Sequence, residues 1–149
     1  MDHSPLLKEI LAKLVTPRFD FSSPAVQDEL IAKLLSASAS DLTSHSGPPA
    51  DCLRSLLLLQ AGEFERSHSI VQEMTGLEAA YIHGMIHRVE GDYSNAKYWF
   101  RQAQRNTPPT SIDPIELTEA VAKTDPRHPD AAVVERLQTE FDDLLRSLG

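Results

Sequence analysis

The chain has 149 residues, with 14 Lys and Arg against 22 Asp and Glu, a net charge of −8. That length and an apolar content of 41% suit one domain with a core of its own. The acidic balance speaks against DNA, RNA or an anionic membrane as the main partner, because each rewards a basic surface.

The single cysteine, Cys52, excludes an internal disulfide and a Cys-rich zinc site. It falls in the run Cys52-Leu53-Arg54-Ser55-Leu56-Leu57-Leu58-Leu59, which reads as a buried, inert thiol. No apolar run is long enough to span a bilayer. The start, Met1-Asp2-His3-Ser4-Pro5, lacks the basic-then-apolar order of a secretory signal. A soluble protein of the reducing cytoplasm is the expectation.

In chain order, Leu6, Leu7, Ile10, Leu11, Leu14 and Val15 recur at helical spacing, and Pro17 stops that helix. Leu6/Leu7 and Ile10/Leu11 suit either a cap on the core or a homodimer contact. Ser23-Pro24 starts a second helix marked by Val26, Leu30, Ile31, Leu34 and Leu35. Residues 36–49 are Ser-rich, contain Gly47-Pro48-Pro49 and read as the longest loop. Helices are predicted at about 50–61, 63–74, 77–90 and 92–105, broken at Gly62, Thr75-Gly76 and Gly91. Asp113-Pro114-Ile115-Glu116 resembles a capping box and opens a short helix. Val134, Leu137, Phe141, Leu144 and Leu148 mark a last amphipathic helix, with Glu135, Glu140, Asp142 and Asp143 on its solvated face. Nothing alternates with period two, so the chain reads as all-α, built of antiparallel helical hairpins. Its organisation is N-terminal helices and loop (1–49), a repeat-like core (50–109) and C-terminal helices (110–149).

Two segments align at an offset of 29 residues, Gly62-Glu63-Phe64-Glu65-Arg66-Ser67 with Gly91-Asp92-Tyr93-Ser94-Asn95-Ala96. The second copy, with Gly84, Gly91-Asp92-Tyr93, Ala96, Phe100, Ala103 and Pro108, resembles a tetratricopeptide repeat. The resemblance covers about residues 48–108 and implies stacked helix pairs that bind a protein or peptide. Gly84 and Ala96 then allow close helix approach, with Phe100 filling the space beside them. Where that family prefers an aromatic, a Leu and a Tyr, this chain has Ala80, His83 and His87. The block from Tyr81 to Phe100 also resembles a group of small all-helical proteins without assigned activity.

His83 and His87 stand one turn apart on one helix face. Antiparallel pairing through Thr75-Gly76 sets His68 level with His83. Pairing through Gly91 sets Trp99 beside His83 and Asn95 beside His87. Three readings are open. These are core histidines with hydrogen-bond partners, or polar contacts of a small-ligand pocket formed by His68, His83, His87, Arg88, Asn95, Tyr98 and Trp99. The third is a divalent-metal site, such as zinc, on His68, His83 and His87. Gly84 replaces the Glu of the metalloprotease helix motif, and Glu90 is a fourth ligand only if the helix end permits. Lys97, Arg101 and Arg105 form a row that is either solvated or a patch for an acidic peptide or phosphate. No Gly-x-Ser-x-Gly, Walker loop or dinucleotide Gly cluster is present. The leading expectation is therefore a non-catalytic helical module, monomer or homodimer, that binds a protein or peptide without a cofactor. A His-centred ligand or metal protein is the alternative.

Overall fold

The computed structural model describes residues 3–14, 28–44, 47–104 and 108–149. Among these residues there are nine helices and no strand, so the protein is all-α. Pro17, Ser23-Pro24, Val26 and Arg105 lie outside the described residues.

Helix α1 (Pro5–Lys13) starts where sequence chemistry places it. Ser4 accepts a hydrogen bond from the Leu7 amide at 3.1 Å, and Pro5 occupies the first turn. Leu7 and Ile10 are fully buried, so this helix caps the core. Helix α2 (Asp28–Ser36) packs beside it, and Lys33 pairs with Glu9 across the two. Residues 36–49 are not one loop. A short helix α3 (Ala39–Leu42) interrupts them, because Ser38 and Asp41 form a reciprocal capping box. Asp serves there where Glu or Gln is usual, which hides the signal.

Helix α4 (Pro48–Gln60) is the central element, with Leu53, Leu56, Leu57, Leu58 and Leu59 all at 0% exposure. A helix apolar on every side belongs inside the fold. Arg54 donates to the carbonyls of Leu34 and Ala37, tying the end of α2 to α4. Cys52 is buried, and burial followed by the charges of Glu78 and Asp51 pushes its thiol up to about 12.

Two tight turns set up the next hairpins. Gly62 (φ 89°) leads into α5 (Phe64–Val71), and Gly91 (φ 83°) joins α6 (Leu77–Val89) to α7 (Tyr93–Ala103). Both backbones are left-handed, where a Cβ is disfavoured. The matched positions Ser67 and Ala96 are both fully buried. Ser67 and Ser55 exchange hydroxyl-to-carbonyl bonds at 2.8 and 2.9 Å, holding α5 close on α4. At Gly84 an added Cβ would lie 2.7 Å from two ring carbons of Phe100, so glycine is required for the α6–α7 approach.

Helices α8 (Pro114–Ala122) and α9 (Ala131–Leu148) start on the Asp113 and Asp130 caps. Leu117, Val121, Val133 and Leu137 form their shared apolar cluster. One acid expected on the solvated face of α9, Glu140, is turned inward at 0% exposure, and half-buried Asp143 accepts from the Ser111 amide and hydroxyl at 2.8 and 2.6 Å. Glu140 lies three residues after Leu137 and four before Leu144, on the buried stripe itself. No helix among the described residues is long and apolar enough to cross a membrane.

Candidate functional site

Three consecutive helices bring their polar groups to one place. Helix α5 supplies His68, α6 supplies His83 and His87, and α7 supplies Asn95 and Trp99. The position of α5 rests on the Ser55–Ser67 contact next to His68. That of α7 rests on Gly84, which lets Phe100 seat against α6 and carries Trp99 with it.

The His68 and His83 Nε2 atoms are 3.0 Å apart, one donating and the other accepting. The His83 ring lies between two others. Trp99 stacks on it at 3.9 Å and 11° between planes, and the His87 ring lies 5.0 Å away at 20°. His68 meets both imidazoles edge-on. One ring nitrogen from each of the three histidines lies within 4.8 Å of the others.

Burial and hydrogen bonding set the proton positions of this cluster. His83 is buried, and burial followed by the neighbouring His68 and His87 pushes it down to about 4. It is therefore neutral at pH 7. His87 Nδ1 lies 3.2 Å from a Glu90 carboxylate oxygen, which can only accept, so Nδ1 carries the proton. The His87 Nε2 lone pair then accepts from the Asn95 amide nitrogen at 3.4 Å. Glu90 thus sits behind the ring and sets its tautomer, the arrangement that orients metal-binding histidines. It is not placed as a fourth ligand.

Nitrogen atoms around a tetrahedral zinc at ~2.0–2.1 Å stand about 3.3 Å apart. The 3.0 Å pair and the 4.8 Å envelope enclose that spacing, and the near-parallel His83 and His87 rings must turn for both lone pairs to meet one ion. The three donors fit a borderline-soft divalent ion and not a hard one that demands oxygen.

A groove of about 500 Å³ adjoins the cluster, lined by Val71, Met74, Leu77, Ala80, Tyr98, His83 and Trp99 among others. Ala80 forms part of its wall. Tyr98 is 51% exposed at its edge and meets Trp99 edge-on at 5.2 Å.

The structure separates other candidates from this place. Arg88 does not join the pocket. It is buried, paired bidentately with Glu140, and stacked over Phe100 at 5.2 Å. Tyr81 donates to the same carboxylate at 2.6 Å and receives a bond from Thr110 at 3.1 Å. Burial opposes the Arg88 charge, but Glu140 outweighs it and raises the pKa. Burial and then the Glu140 charge push Tyr81 well above the usual phenol range, so it stays a neutral donor. Lys97 is paired with Glu119 at 3.2 Å, and only Arg101 of the expected row is described as an exposed cation. Glu90 as tautomer setter and Glu140 as the partner of Arg88 were not identified from sequence.

Comparison of the chain with known protein families, with curated proteins and with solved structures finds no match.

Proposed function

We propose that this protein binds one divalent metal ion of the zinc class through His68, His83 and His87, on a scaffold of tetratricopeptide-like hairpins. The observation that carries the reading is the convergence of three imidazole nitrogens from two helices within 4.8 Å. The Glu90–His87 contact and the neutral His83 support it, since a ligand imidazole must be unprotonated and held in one tautomer. Close packing of Gly84 on Phe100 holds α7 against α6 and so keeps Trp99 beside His83. The lone buried thiol of Cys52 fits a reducing, cytoplasmic setting.

Docking of a peptide or protein is the second reading, favoured by exposed Tyr98 beside the apolar groove. It differs in one respect that is easily read. Such docking persists in the presence of a chelator and is lost in Tyr98→Ala.

Equilibrium dialysis of tag-free protein against zinc chloride tests the metal reading. One zinc per chain is expected, with affinity falling at least about a hundredfold in His68→Ala and His87→Ala. His83→Gln replaces the buried ring without leaving a large void. Failure to retain zinc, or retention unchanged in all three variants, overturns the proposal.

A further inference from the structure

We propose that the metal site takes an anionic ligand with an apolar tail, a short-chain carboxylate, its head on the metal and its tail in the adjoining groove. This rests on the metal reading above. Three histidines leave a tetrahedral ion one position short, and sites that bind or transform a ligand keep such a position. Among the described residues no further His, Cys, Asp or Glu joins the cluster, and Glu90 is committed to the far side of His87. The Asn95 amide donates to His87 Nε2 at 3.4 Å, and a metal that takes this lone pair frees the amide to donate to an oxygen beside it.

The groove supplies the second half of the argument. His83 and Trp99 belong both to the cluster and to the groove wall, so the two spaces meet at His83. Val71, Met74, Leu77 and Ala80 give the groove its apolar lining, with Thr75, Gln102 and the Tyr98 phenol the other polar side chains there. Among the described residues no charged side chain lines it. An anionic head entering this space therefore has one place to be neutralised, the metal, and the rest of the molecule gains by burying methylenes. A cationic or strongly polar tail is excluded by the same lining, since its desolvation would go uncompensated.

The test uses the full chain loaded with cobalt(II) in place of zinc, titrated with acetate, butyrate and hexanoate while the visible cobalt bands are followed. Each carboxylate is expected to perturb the bands, with affinity rising about fourfold per added methylene. Met74→Gln, in the groove and away from the imidazoles, is expected to flatten that series while leaving cobalt affinity unchanged. Cobalt binding with no perturbation, or with affinity independent of chain length, overturns this inference alone. Failure of cobalt to bind overturns the metal site and this inference together.

Discussion

The indole of Trp99 lies flat on the imidazole of His83, centroids 3.9 Å apart and planes 11° from parallel. The stacking links α7 to the ring that stands at the centre of the histidine cluster. Trp99 is the only tryptophan in the chain. Its fluorescence therefore reports one environment. Any rotation of His83 toward a metal changes what the indole faces, so zinc is expected to shift or rescale the emission and saturate at one equivalent. His68→Ala is expected to abolish that response. Zinc binding with unchanged emission would place the ion away from Trp99.

Glu90 offers a sharper test than the ligands, because it is exposed and touches the site only through His87 Nδ1. Glu90→Ala removes the acceptor that fixes the tautomer and should weaken zinc about 10- to 100-fold. Stability in urea without zinc should barely move. A parallel collapse of metal-free stability would assign Glu90 a structural role instead.

Arg88 lies on a different stripe of α6, with Tyr81 and Gly84, and pairs with Glu140 of α9. Glu140→Ala strands a buried guanidinium, which costs about 3–5 kcal/mol, and it also leaves the Tyr81 hydroxyl without its acceptor. Urea denaturation should show this loss, and the apolar double variant Arg88→Met with Glu140→Leu should recover the part due to the stranded charge. Zinc affinity should be unchanged in the double variant.

Cys52 gives a pH-dependent readout. At pH 8.5 an ordinary thiol is about half ionised. A thiol pushed up to about 12 is almost wholly protonated there, so iodoacetamide should react about a thousandfold more slowly with the native chain than with the unfolded one. The sign for stability follows. The raised pKa contributes fully below the value of an exposed thiol, and that contribution is lost as pH rises toward about 12. Cys52→Ala should flatten the alkaline limb of the stability curve.

Much of this site was legible in the sequence because antiparallel hairpins with tight Gly turns have a fixed register. Counting outward from Thr75-Gly76 and Gly91 sets His68 level with His83, Trp99 beside His83 and Asn95 beside His87, and in the structure those pairs touch. Register does not say which way a long side chain turns. Arg88, adjacent to His87, leaves on another stripe for a carboxylate 52 residues away. Glu140 carried a spacing signal, three and four residues from buried leucines, but an acid in that row reads as solvated until its cation is known. The α3 capping box was missed because Asp41 stands in for Glu. The groove lay beyond sequence reasoning, since its wall is assembled from side chains of three helices and the turn between two of them.

The central claim is that three imidazoles hold one zinc ion. Zinc-edge X-ray absorption of the stoichiometrically loaded, tag-free protein tests it most directly. The account predicts three imidazole nitrogens and one oxygen at ~2.0–2.1 Å, with no sulfur. A sulfur neighbour, or a shell of oxygens without imidazole scattering, would contradict it.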